Sequence, residues 1–346
     1  MLVQENKLNR ILENTVDNKS IFGIAVNIES GDNDFSWINS VGNLEKNSQY
    51  AIASISKMYT TATILRLVSE GKLALQDKIG KYLPMDIISE LHVYKGIEYS
   101  NDITIEHLLS HISGLPDYYE EKDENGESVV DNIIMEDKFF SIDDIISNTK
   151  KLKPHFKPGE KGKAFYSDAN FDILGMIIEK TTNKKLKDVF LEYIFEPLEL
   201  NNTYLYEQNC NKEFAPIYYK SKPLHVPLAM ASFSASGGII SNVEENMKFI
   251  KAFFKGGLFP EKYLENLYSW NRIQWFPLEY GLGLMRCKMS RIMSPIIPAP
   301  EIIGHSGSTG TFSFYCPEKN LFITGVFNQM IRQPFPLIYR LINCFK

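Results

Sequence analysis

Serine and lysine recur three residues apart at Ser54/Lys57, Ser69/Lys72 and Ser147/Lys150. The last two pairs lie in polar surroundings, at a helix end or in a charged segment, and read as surface lysines. Ser54/Lys57 differs. It lies in AIASISKMYT (51–60), at the start of an apolar stretch that reads as a helix from Ser54 to Gly71. That spacing puts both side chains on one helical face. An ammonium group is costly to bury unless something holds it. A serine hydroxyl at the positive end of a helix dipole, beside a desolvated lysine able to release or hold a proton, has the makings of an activated nucleophile.

Two further stretches can supply partners. Tyr166-Ser167-Asp168 follows the turn Lys157-Pro158-Gly159 and precedes a helical pattern. Its phenol can relay a proton. The same residues also fit a core tyrosine with Ser167 or Asp168 as helix N-cap. GHSGSTG (304–310) lies between β-type segments. Glycines there permit close approach of a backbone or ligand, and edge-strand N–H groups can pair with an extended substrate and line an oxyanion hole. A glycine-rich turn is the simpler alternative. His107 and His111 are four apart, as metal ligands on a helix can be. No Glu occupies the metalloprotease position, and Ser113-Gly114-Leu115-Pro116 reads as a helix end, so a structural pair is expected, with no metal site. Gly-x-Ser-x-Gly does not occur, which argues against an α/β-hydrolase elbow.

The elements around these motifs follow from periodicity. Leu8, Ile11, Leu12 and Val16 mark an N-terminal amphipathic helix. IFGIAVNIES and DFSWINSVG form a hairpin across Gly31–Asp34. Helix-and-loop material runs to about residue 225, including an acidic stretch from Asp117 to Glu136 that reads as a surface insertion, and helices at Phe171 to Lys180 and Leu186 to Phe195. Ser241-Asn242-Val243-Glu244 resembles a capping box opening a helix with Val243, Met247, Ile250 and Phe254 on one face. YGLGLMRC, TFSFYCPEK and LFITGVFNQ read as strands, and a helix from about Phe335 to Phe345 closes the chain. The expected fold is α+β: an antiparallel β-sheet flanked by helices, the terminal ones on one face, with an inserted mainly α-helical subdomain. It is read as one domain over 1–346, its α/β part about 1–75 and 226–346 and its helical part about 76–225.

Composition narrows the function. The 346 residues carry a net charge of −5, which gives no general case for nucleic-acid binding. The basic stretch from Lys150 to Lys163 is short and reads as a solvated face. No apolar run is long enough to span a bilayer. The N-terminus lacks the apolar block and cleavage site of a signal peptide, so the expectation is cytoplasmic as the chain is written, and extracytoplasmic if an export signal precedes it. Cys210, Cys287, Cys316 and Cys344 are scattered and read as free thiols.

Taken in order, Ser54-x-x-Lys57, Tyr166-Ser167-Asp168 and His305-Ser306-Gly307 resemble the serine β-lactamase and penicillin-binding-protein superfamily, on its class C-like esterase and D-aminopeptidase side. HLLSHISGLPDY, FKPGEKGKAFYSDANFDILG, FSASGGIISNVEENMKFI and YGLGL resemble further segments of that family, so the likeness runs from about residue 20 to 328. The resemblance implies that Ser54 is an acyl-forming nucleophile, that Lys57 and Tyr166 share proton transfer, and that the N–H groups of Ser54 and Ser308 form the oxyanion hole. It implies substrate contacts at His305, Ser306, Gly307 and Asp168, and no metal or organic cofactor.

Two positions depart from the family pattern. His305 stands where penicillin-recognising members usually have lysine, and Asp168 where many have asparagine. A neutral histidine gives no attraction for a substrate carboxylate. A carboxylate beside Lys57 keeps that lysine charged, moves base duty toward Tyr166 and repels anions. Both changes favour a neutral ester or amide, or a substrate with a free amine. The alternatives are a D,D-carboxypeptidase or β-lactamase, and a non-catalytic binding or scaffolding domain.

Overall fold

Alternating side chains set the two faces of the central sheet. In β1 (Gly23–Ser30), Ile24, Val26 and Ile28 point to one core and Ala25 to another. The computed structural model describes residues 2–289, 292, 294–295, 299–330 and 332–345. β1 pairs with β2 (Ser36–Gly42) as the expected hairpin. Six more strands come from the C-terminal part: β3 (Asn271–Arg272), β4 (Leu278–Tyr280), β5 (Met285–Cys287), β6 (Ile302–Gly307), β7 (Thr311–Cys316) and β8 (Leu321–Val326). The order across the sheet is β3-β4-β5-β6-β7-β8-β1-β2, with every neighbouring pair antiparallel. The two ends of the sequence thus meet where β8 pairs with β1, Ala25 opposite Val326.

Helices cover both faces. α1 (Leu2–Glu13) and the C-terminal Phe335–Ile342 helix share a core with Ile24, Val26, Phe312 and Phe314. Helices α2 (Ser56–Ser69), α3 (Asp168–Thr182) and α4 (Val243–Phe254) build the larger core on the other side, through Met58, Leu65, Ile177, Met247 and Phe249. The C-terminal helix is α5. A small three-stranded sheet joins Tyr50–Ala51, Ile239–Ser241 and Tyr204–Leu205, so the mainly helical stretch is stitched to the strand just before Ser54. Among the described residues no helix is long and apolar enough to cross a membrane.

Four local expectations need correcting. YGLGLMRC is not one strand: residues 281–284 turn between β4 and β5, with Gly283 at φ +74°, where its Cβ would also collide with Thr61. The cap of α4 is Asn242, whose side chain accepts from the Glu245 N–H at 2.8 Å, while Ser241 is strand and bonds Thr203. Neither Ser167 nor Asp168 caps α3 with its side chain. Asp117 does so from a distant loop, accepting from the Asp168 N–H at 2.9 Å. The acidic stretch is therefore not wholly a surface insertion, since Asp117, Tyr118 and Tyr119 are buried.

Candidate active site

Ser54 does not begin the long helix. It occupies a single 3-10 turn, Ala53–Ile55, that leads into α2. Ala53 before it is left-handed at φ +48°, a conformation that costs a non-glycine residue energy and persists only where the surroundings enforce it. The surroundings do enforce it. Thr309 Oγ1 donates to Ala51 O at 2.7 Å, Thr311 Oγ1 to Ile52 O at 2.9 Å, and Ile52 N–H to Ile239 O at 3.0 Å. β6 can press this close because residue 307 is glycine. A Cβ there would stand 2.5 Å from Ile52 O and 3.0 Å from Ala53 Cβ.

Lys57 is fully buried, and each of its three N–H donors meets an oxygen. Its Nζ lies 3.1 Å from Ser54 Oγ, 2.7 Å from Ser236 O and 2.7 Å from Asp168 Oδ1. It also sits over the Tyr166 ring, 5.1 Å from the centroid. Tyr166 shares a side-chain hydrogen bond with Ser54, and burial first, then the Asp168 charge, hold its phenol well above the usual range. The expected shift of base duty to Tyr166 therefore meets an obstacle: the carboxylate that pairs with the lysine also keeps the phenol protonated.

His111 fixes Tyr166 from one side. Its carbonyl accepts from the Phe165 N–H at 2.9 Å, its Nδ1 from the Ser167 N–H at 3.1 Å, and its ring packs 4.3 Å from the phenol ring. Asn170 Nδ2 lies 2.9 Å from the same Nδ1, so the imidazole proton belongs on Nε2. His107 instead closes a capping box with Thr104. The two histidines are structural, as their spacing suggested, but with unrelated jobs.

Of the residues expected at the substrate, Asp168, Ser306, Gly307 and Ser308 line one cavity with Ser54 and Tyr166. His305 does not. It is buried behind that wall, its Nε2 3.1 Å from the Tyr280 hydroxyl and its Nδ1 2.7 Å from Ser306 O. Burial first, then Lys57, lower its pKa to about 3, so it is neutral and braces the strand end.

The cavity has a volume of about 660 Å³. Next to Ser54 it carries three carboxyl groups, Asp117, Glu120 and Asp168. Glu120 is raised to about 7 and Asp117 well above its ordinary range, each by desolvation first and by Asp168 second. Trp275, Phe276, Met285 and Tyr339 make an apolar flank, and Arg332 and Arg340 lie on its far side. A smaller annex of about 40 Å³ adjoins Ser54, walled by Tyr119, Val226, Met230 and Phe233. Asp117, Tyr119, Glu120, Ser236 and Trp275 were not singled out from the sequence. Asp117 and Ser236 lie within stretches whose family likeness was noted, but nothing in those stretches shows which atoms turn toward Lys57.

The beta-lactamase family model matches residues 8–343. A protein of Escherichia coli (strain K12) named "Putative D-alanyl-D-alanine carboxypeptidase" is 27% identical over 311 residues, covering 81% of this chain and 69% of that one. A solved D-stereospecific amidohydrolase from Streptomyces sp. matches with a TM-score of 0.78 at 25% identity over 94% of both chains. EstCE1, described as a hydrolase with promiscuous acyltransferase activity, matches with a TM-score of 0.81 at 19% identity over 97% of both, a likeness of fold. A family model that covers nearly the whole sequence, together with the matching eight-stranded architecture, shows that the chain belongs to the beta-lactamase family, a family of serine hydrolases.

Proposed function

We propose that this protein is an acyl-enzyme serine hydrolase that cleaves an ester or small amide carrying a free amine. One observation carries the substrate class: three carboxyl groups, Asp117, Glu120 and Asp168, share the cavity with Ser54, and the single cation among them, Lys57, is buried and already has three acceptors. A substrate ammonium pairs with Asp117 and Glu120. A carboxylate placed there is repelled.

The proton flow balances through the same groups. Ser54 Oγ attacks the carbonyl carbon, and its proton passes to Lys57 as Lys57 hands one to Asp168, 2.7 Å away. The N–H groups of Ser54 and Ser308 receive the oxyanion. The bond to the leaving group then breaks, and the protonated Tyr166 phenol supplies that group's proton. In deacylation water gives its proton to Tyr166, and Asp168 returns its proton through Lys57 to Ser54. Free enzyme is restored.

The test is a fluorophosphonate probe followed by peptide mass spectrometry, with Ser54→Ala as control. Labelling of Ser54 alone, slowed by amino-acid amides and esters more than by nitrocefin, is the expected result. Faster reaction with nitrocefin would favour a β-lactamase or D,D-carboxypeptidase, for which Arg332 and Arg340 on the far side of the cavity supply a carboxylate partner. No labelling of folded protein would favour a binding domain.

A further inference from the structure

Tyr166 is held from a second side, opposite in kind to the His111 clamp. The Tyr166 N–H donates to Gln274 Oε1 at 2.8 Å, and Gln274 Nε2 donates to Tyr166 O at 3.1 Å. One side-chain amide thus satisfies both backbone groups of the residue, as a neighbouring strand would. Gln274 lies 108 positions away in sequence and belongs to the turn between β3 and β4. The next residue, Trp275, packs its ring 4.9 Å from the Tyr166 ring and lines the cavity.

We infer that Gln274 is a positioning residue: it fixes the Tyr166 backbone, and so the phenol beside Ser54, in register with the Trp275–Phe276–Pro277 wall of the cavity. This rests on the proposed role of Tyr166 as proton donor to the leaving group. The position is suited to such a role and not to a core one. Gln274 is largely solvent-exposed apart from its paired amide, so removing it leaves no buried hole. What it removes is the restraint along the Tyr166 backbone, and a displacement of about 1 Å in a proton donor costs about 10²-fold in rate.

The experiment compares an amino-acid amide with the p-nitrophenyl ester of the same amino acid, through kcat/KM, which reports acylation for both. The amide nitrogen needs a proton to leave and p-nitrophenolate does not. Gln274→Ala is expected to lower amide kcat/KM about 10²-fold, chiefly through kcat, and to leave the ester within about threefold, with Tm and Ser54 labelling preserved. Gln274→Glu is the conservative rescue. Its protonated carboxyl restores the donor to Tyr166 O and its other oxygen still accepts from the N–H, so its amide activity relative to wild type should rise as pH falls. Equal losses on amide and ester, a change in KM alone, no change, or a flat pH ratio for Gln274→Glu would each overturn the inference. If wild-type protein labels at Ser54 and cleaves the amide while Gln274→Ala matches it, only this inference fails. If wild-type protein neither labels nor cleaves either substrate, the proposed function fails with it.

Discussion

Lys57 Nζ and Asp168 Oδ1 lie 2.7 Å apart, the lysine side chain fully buried and the aspartate side chain 11% exposed at the floor of the cavity. The pair is the hub of the site. It reaches Ser54 through the lysine, and the Asp168 charge bears on Tyr166, Asp117 and Glu120.

Breaking the pair at the lysine strands a carboxylate among other carboxyls. Lys57→Ala is expected to cost about 3 kcal/mol of stability and to abolish labelling of Ser54. Denaturant melts check the first effect and the fluorophosphonate probe the second. Unchanged stability would mean that Asp168 does not depend on the ammonium.

Removing the phenol separates its two possible duties. Tyr166→Phe should lower kcat/KM for an amide by about 10²–10⁴-fold and for the matching p-nitrophenyl ester far less, because a good leaving group needs no proton donor. Equal losses on the two substrates would make Tyr166 the base toward Ser54 instead.

The carboxyls beside Ser54 give a pH signature. Glu120 is raised to about 7, so it is ionised above that pH and neutral below it. KM for amine-bearing substrates is therefore expected to rise as pH falls through about 7, while KM for neutral esters stays level. Glu120→Gln should raise KM for the amine substrates about tenfold at pH 8, equivalent to about 1.4 kcal/mol of lost pairing, and flatten the pH dependence. Steady-state kinetics on both substrate types from pH 5.5 to 8.5, each range chosen at about the raised value, would reveal it.

Asp172, one helical turn beyond Asp168, offers a stability test. Its pKa is raised from 3.8 to about 7, chiefly by burial and next by Asp168, while its Oδ2 accepts the Tyr118 hydroxyl at 2.9 Å. The folded state binds a proton that the unfolded chain has released, so this group lowers stability progressively as pH rises from about 4 through about 7. Asp172→Asn keeps an acceptor for Tyr118 without the charge. It should stabilise the fold at pH 8, by on the order of 2 kcal/mol, and lose that advantage near pH 4. Thermal melts at the two pH values decide it, and an equal effect at both would show that Asp172 does not titrate.

Much of this was legible along the chain because it is written in local patterns. Period-two alternation in the terminal segments marks the strands of the sheet, and Ser54-x-x-Lys57 needs only one helical turn to bring hydroxyl and ammonium together. The order of the three motifs identifies the family. Where local reading failed, a distant group had taken over a local task. Asp117 caps α3 in place of Ser167 or Asp168, and Gly283 turns a stretch that reads as continuous strand.

The nucleophile, its lysine and the unusual Asp168 are thus properties of the sequence by itself, since residue type and short spacing settle them. Which groups those residues face is a property of the tertiary structure. His305 and Ser306 are neighbours, yet one is buried behind the wall and the other lines the cavity, because successive strand side chains point to opposite faces and only packing decides which face is the site. The same holds for charge. Asp117, Glu120 and Asp168 become an acidic floor only when a loop some fifty residues upstream folds against the start of α3, and the burial that moves their pKa values exists only in the folded chain.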